Sequence, residues 1–193
     1  MKNDNQLNGL LSPLMQRIRI KKTLPFLRGP NVLDIGSSNG ELIPYLPADI
    51  NYFGVEGDSA YYEKAKALFP DRTFFNFYID YTTVDKLVVP PIDTVVMAAV
   101  LEHLDNPENT LIALKAHLAP RGRIIITTPN KTAEKILRWG AKWRLFSSER
   151  DEHKRNFSKK DLYNIASSAG YKIFFYARFE FGLNNLAVMK KND

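Results

Sequence analysis

Three acids stand at or near the ends of consecutive apolar runs: Asp34 in Val32 to Ile35, Glu56 after Tyr52 to Val55, and Asp80 after Phe74 to Ile79. A carboxylate at the carboxyl end of a parallel strand is placed to accept from the hydroxyls of a bound ribose when it lies about 20 residues beyond a glycine turn. Glu56 has that relation to Gly36, and Asp80, one run later, can accept from an exocyclic amino group. Gly36 and Gly40 bracket the small polar residues Ser37, Ser38 and Asn39. Such a turn lets a ligand approach the backbone closely, and its open amides favour an electron-rich group. Three histidines complete the set: His103, His117 and His153. Histidine is the side chain suited to taking a proton near neutral pH. His103 follows a strand-like run directly over the expected pocket. His153 sits in a basic segment expected to cover it. His117 falls on the exposed side of a helix and receives no role.

These residues must be positioned by strands and helices, and the pattern supplies them. Leu10 to Leu27 reads as a leading helix, interrupted near Pro13 and Pro25. The first strand, Val32 to Ile35, runs into the glycine turn, and a short helix-like segment starts at Glu41 and is stopped by Pro47. Tyr52 to Glu56 is the second strand, and Asp58 or Ser59 caps a helix to Phe69. Phe74 to Ile79 is the third strand. Ile92 to Val96, continuing through Ala99, is the fourth. Pro107 to Leu118 forms a helix, and Arg123 to Thr128 the fifth strand. Ser158-Lys159-Lys160-Asp161 opens a helix ending at Gly170. Tyr171 to Phe179 and Leu186 to Met189 are two strands joined by a turn around Gly182. Alternating strands and helices with short connections predict an α/β protein with a parallel sheet covered on both faces, closed by an antiparallel hairpin.

The 193 residues suit one domain. We divide them into an N-terminal helical extension, 1–30, and a main domain, 31–193, in which 131–156 is an insert. There is no cysteine, which excludes disulfides, thiolate metal sites and a cysteine nucleophile. No apolar run is long enough to span a bilayer, and the polar start does not resemble a secretion signal, so a cytoplasmic location and no stable membrane insertion are expected. The net charge of +6 is concentrated between Arg121 and Lys160, where twelve bases face four acids. A second basic group is Arg17, Arg19, Lys21 and Lys22. Such patches attract phosphates or an anionic membrane surface, or simply solvate a face.

Taken in order, these motifs resemble those of class I S-adenosylmethionine-dependent methyltransferases. Val-Leu-Asp-Ile-Gly-Ser-Ser-Asn-Gly at 32–40 is similar to the family's first motif, with Ser38 where its usual form has a glycine. Gly54-Val55-Glu56-Gly57-Asp58 is similar to the second-strand acid motif. Ile92 to Val96, leading to Val100-Leu101-Glu102-His103-Leu104, resembles the fourth-strand motif, and Leu118 to Arg123 with Thr127-Thr128-Pro129-Asn130 the fifth. The resemblance implies a Rossmann-like, doubly wound seven-stranded sheet of order 3-2-1-4-5-7-6, with S-adenosylmethionine as cofactor. It implies that Gly36, Ser37, Ser38 and Gly40 lie against the methionine part, with Asp34 behind them. Glu56 would bind the ribose, Gly57 and Asp58 would flank the adenosine, Asp80 and Tyr81 would contact the adenine, and Ala98 would floor the cleft near the sulfonium.

Catalysis needs alignment rather than a protein nucleophile, and a hydroxyl acceptor would use His103 or His153 as base. The expected reaction is methyl transfer to a small-molecule acceptor, on oxygen, with the 131–156 insert and its Trp139, Trp143 and Phe146 as acceptor lid. One alternative is an RNA 2′-O-methyltransferase using the basic insert. Glu102, His103 and His153 resemble three of the four metal ligands of small-RNA 3′-terminal 2′-O-methyltransferases, but Ala99 occupies the position of the fourth, a glutamate, so no metal site is assigned. The other alternative is a non-catalytic cofactor-binding protein.

Overall fold

The computed structural model describes residues 6–131 and 155–192, with side chains from residue 14 onward. Seven strands form one sheet: β1 Asn31–Ile35, β2 Asn51–Glu56, β3 Thr73–Asn76, β4 Ile92–Ala98, β5 Leu118–Pro129, β6 Tyr171–Phe179 and β7 Asn184–Lys191. Their order is β3-β2-β1-β4-β5-β7-β6. The first five are mutually parallel, and β7 runs antiparallel to both β5 and β6. The helices are α1 Gln6–Thr23, α2 Ser59–Leu68, α3 Pro107–Leu114 and α4 Lys159–Ser168. The fold and strand order expected from the sequence are those observed.

Strand side chains alternate between two cores, as the pleat requires. Leu33, Ile35, Val95, Met97, Ile124 and Ile126 face a large apolar cluster that takes Leu111 and Leu114 from α3 and Leu162 and Ile165 from α4. Val32, Tyr52, Val96, Ile125 and Val188 face a second cluster closed by Ile20 of α1 and by Phe69 beyond α2. Central strands buried on both faces explain the nearly continuous β-branched runs of β4 and β5. Two helices are capped as the sequence suggests. Asp58 accepts from the amides of Ala60 and Tyr61, and Ser158 and Asp161 form a reciprocal capping box.

Four local expectations change. Helix α1 passes through Pro13 without a break and stops before Pro25, which sits in a 3-10 turn over Leu24–Phe26. No α-helix follows the glycine turn. Only a 3-10 turn over Ile43–Tyr45 forms there, since Pro44 and Pro47 leave no room for a second turn. Strand β3 ends at Asn76 rather than Ile79 because the Asn76 side chain turns back, donating to the carbonyl oxygen of Glu56 at 2.9 Å and accepting from Ser59. The helix after Asn106 closes at Leu114 and tightens into a 3-10 turn over Lys115–His117.

Candidate active site

The sheet reverses its strand order between β1 and β4, and ligands of open α/β sheets bind at the carboxyl ends of strands at that point. A cleft of about 560 Å³ opens there. Its wall includes Ile35 and Gly36 beyond β1, Val55 to Gly57 at the end of β2, and Ala98 to Val100 at the end of β4. Phe77 to Asp80, His103 to Asp105, and Gln16 and Arg19 of α1 complete it.

The turn after β1 is built by backbone geometry. Gly36 has φ +71°, and a Cβ there would stand 2.6 Å from a Val100 methyl. Ser38 holds φ +49° and Gly40 φ +76°. The amides of Gly36 and Ser37 both donate to the Val55 carbonyl oxygen, at 2.8 and 3.1 Å, and that of Gly40 to Ser37. The Ser38 amide donates to the Glu56 carboxylate at 2.8 Å. This corrects the expectation of open amides aimed at a ligand. With those donors engaged and no α-helix beginning here, the turn offers shape rather than a dipole.

Glu56 gains what the turn gives up. One carboxylate oxygen accepts from Ser38 and the other from the amide of Asp58 at 2.9 Å. Two backbone bonds therefore fix the plane of the carboxylate, and each oxygen keeps a lone pair for a ligand hydroxyl. Asp34 lies beneath the turn, buried, accepting from the Tyr52 hydroxyl at 2.8 Å. Burial pushes its carboxyl up to about 7, against the lowering effect of the Tyr52 bond. Tyr52 itself is shifted upward, first by burial and then by Asp34. Asp80 has a structural duty beside any ligand role. One oxygen accepts from the Thr82 amide and hydroxyl and from the Thr83 amide. These bonds hold its pKa below the usual carboxylate value. Its other oxygen makes no hydrogen bond among the described residues.

Of the sequence-predicted site residues, Gly36, Glu56, Gly57, Asp80, Ala98 and His103 meet in the cleft wall. Ser37 is buried, Ser38 acts through its amide on Glu56, and Gly40 turns toward Phe69 and Ile43. Asp58 caps α2. Tyr81 is 49% exposed and lies outside the cleft lining, which Phe77, Tyr78 and Ile79 occupy instead because β3 ended early. His153, Trp139, Trp143 and Phe146 fall outside the described residues. Glu102 is buried. Among the described residues no cluster of acids and histidines could hold a metal ion.

Gln16 and Arg19 were not singled out for the site by the sequence. Arg19 Nε is buried and makes no hydrogen bond among the described residues. It acts electrostatically on Glu180 of the β6–β7 hairpin, countering the upward push of burial on that carboxyl. Nothing in local spacing ties α1 to this cleft; its basic character was the available signal.

The cleft's size, the fixed carboxylate, the second acid with an oxygen to spare and the half-buried Arg19 suit a ligand with a ribose, an amino-bearing base and a carboxylate. Comparison with known proteins decides the class: a family model described as a methyltransferase domain matches residues 6–174. The chain belongs to the class I S-adenosylmethionine-dependent methyltransferases.

Among curated proteins, this methyltransferase is 32% identical over 114 residues to tRNA U34 carboxymethyltransferase of Desulfotalea psychrophila. The match takes in 57% of this chain and only 36% of that relative's length. Magnesium protoporphyrin IX methyltransferase from Synechocystis PCC 6803, with S-adenosylhomocysteine bound, superposes with a TM-score of 0.69 at 17% identity, covering 100% of this chain and 89% of that one. A methyltransferase from Thermotoga maritima gives a TM-score of 0.71 at 15% identity, covering 95% and 92%. At these identities the structural matches establish the shared fold. The methyltransferase uses S-adenosylmethionine.

Proposed function

We propose that this methyltransferase transfers a methyl group to an oxygen of a small-molecule acceptor, with the cofactor seated across the ends of β1, β2 and β4. The observation that carries this reading is the Glu56 carboxylate, fixed by the Ser38 and Asp58 amides at the sheet's reversal point. Glu56 would hold the two ribose hydroxyls and the spare oxygen of Asp80 the adenine amino group, with Gly57 and Asp58 flanking the adenosine. Gly36 and Ser38 would shape the methionine seat, backed by Ser37, Gly40 and Asp34. Arg19, with Gln16 beside it, would pair with the methionine carboxylate. Ala98 would floor the cleft. Tyr81 would lie at its outer margin.

The sulfonium, when bound, supplies an electrophilic methyl group and a neutral thioether as leaving group. The chain's part is to align the acceptor with that methyl and to receive its proton. His103 is exposed on the wall beyond β4, and in this reading it would take the proton of a hydroxyl acceptor as that oxygen bonds to the methyl carbon. His153 is the second candidate base. A reading as an RNA methyltransferase is favoured by the likeness to a tRNA-modifying relative and by the basic stretch 121–160.

Calorimetric titration with S-adenosylhomocysteine tests the seat, and absence of binding at millimolar ligand would sink it. A labelled-cofactor screen of small-molecule and RNA fractions separates the two acceptor classes. On the acceptor found, His103→Ala should lower kcat roughly 100-fold or more with cofactor affinity retained. An unchanged kcat would remove His103 as the base.

A further inference from the structure

At the end of the sheet opposite the cleft, three cations stand in one row across adjacent strands. Arg123 of β5 is paired with Lys190 of β7, and Lys190 with Lys172 of β6. Arg123 and Lys190 lie two residues from Ile125 and Val188, which face the α1 cluster, so the pleat puts the row on that face. Like charges directly opposed across strands destabilise a sheet. None of the three makes an ion pair among the described residues. Phe174 is the extra residue of β6 where the register shifts between Ile173 and Phe175, and such a bulge re-aims a side chain. Its ring is 46% exposed and meets both interior cations. Lys190 Nζ stands 4.8 Å from the ring centroid and the Arg123 guanidinium carbon 5.5 Å. Arg123 also donates to the Phe26 carbonyl oxygen at 3.2 Å, while its Nε is buried with no hydrogen-bond partner among the described residues. A slot of about 410 Å³ opens beside the ring, lined by Lys172, Phe174, Lys190, Lys191 and Asn192, with no acid among them.

Lysines on edge strands guard against strand addition, and Lys172 on the outermost strand β6 is explained that way. Arg123 and Lys190 are not, because β5 and β7 are paired on both sides. Burial and then the Arg28 charge lower the Arg123 pKa, so a fourth cation is felt at this end of the sheet. We propose that this slot binds single-stranded nucleic acid, one base lying on Phe174 while backbone phosphates meet Lys172, Lys190 and the adjoining Arg123. Three strands spread the row over roughly 10 Å, more than a single phosphate occupies and suited to a run of them. An aromatic ring set among cations is the chemistry that holds unpaired bases and their phosphates together. A lipid surface is flat and wants apolar side chains projecting into it, whereas this ring lies along a concave slot between cations. About 20 Å of β5 separates Arg123 from the cleft-side end at Pro129, so a strand held there leaves the cleft free. Binding there does not depend on which acceptor is methylated.

The test is fluorescence anisotropy of a labelled single-stranded oligoribonucleotide titrated with the full chain. Affinity should fall steeply as salt is raised. Lys172→Gln together with Lys190→Gln should weaken binding roughly tenfold and reduce the salt slope by about two. Phe174→Ser should weaken it roughly fivefold or more with every charge intact, and Phe174→Tyr should retain it. Absence of binding by the unmodified chain would overturn the proposal, as would undiminished binding by the double variant. So would equal binding of duplex RNA, or binding of adenosine triphosphate or of phosphatidylglycerol vesicles without binding of the oligonucleotide. Affinity for S-adenosylhomocysteine, read on the same variants, should stay at the native value, which separates a failure here from a failure of the cofactor seat.

Discussion

Ser38 holds φ +49° where the glycine-rich motif usually has a glycine, and a side chain in that region costs roughly 1 kcal/mol. Its amide is what the site uses, as a donor to Glu56. Ser38→Gly should therefore raise stability by up to about 1 kcal/mol and leave cofactor affinity near that of the native chain. A lower melting temperature would contradict it. Gly36→Ala should act in the opposite direction, losing roughly 1–3 kcal/mol by combining strain at φ +71° with the Val100 contact. Hydrogen bonds to charged groups are each worth about 1.5–3 kcal/mol. Glu56→Ala should accordingly weaken S-adenosylhomocysteine at least tenfold by calorimetry, and a change of less than threefold would count against its role. Asp34 adds a pH dependence. Its folded pKa of about 7 lies above the unfolded value, so its contribution is full below the unfolded pKa and is lost as pH rises toward 7. The slope should be at most about 1.4 kcal/mol per pH unit. Urea unfolding at the two ends of that window should show the decline, and Asp34→Asn should flatten it.

At the scale of elements, the residues flanking 131–156 are clasped at the end of β5. Asn130 Nδ2 donates to Asn185 Oδ1 at 2.7 Å, and the Tyr176 hydroxyl donates to the same oxygen. Asn185 Nδ2 donates to the Phe157 carbonyl oxygen at 2.8 Å. The returning stem also bonds to the cleft side of the molecule, the Arg155 amide donating to the Glu102 carbonyl oxygen. One buried side chain on β7 thus ties Asn130 to Phe157 across that stretch. Asn185→Ala would strand several buried polar groups and should cost roughly 2–3 kcal/mol in unfolding free energy. If the insert covers the acceptor, the same change should raise the acceptor KM more than the cofactor Kd. Equal effects on both would assign Asn185 to general stability alone. The clasp was not legible in the sequence, because its members lie up to 55 residues apart and each alone is an ordinary residue.

For the molecule as a whole, the cleft joins α1 to the ends of β1, β2 and β4, so a cofactor seated there should stabilise the elements that meet in it. S-adenosylhomocysteine at about 100 times its Kd should add about 2.7 kcal/mol. In a domain of this size that should raise the melting temperature by roughly 5–10 °C. The Glu56→Ala variant should lose most of that shift at the same ligand concentration.

The amino-acid pattern alone determined the sheet, its closing hairpin, the α2 and α4 caps and the acids at the first two strand ends. Each rests on local periodicity or on contacts within a few residues. Tertiary structure alone decided that the Gly36–Gly40 amides turn inward, that Asn76 ends β3, and that Arg19 of α1 enters the cleft. Those outcomes depend on partners on other elements, such as the Val55 carbonyl and the Glu56 backbone, which become neighbours only when the strands align.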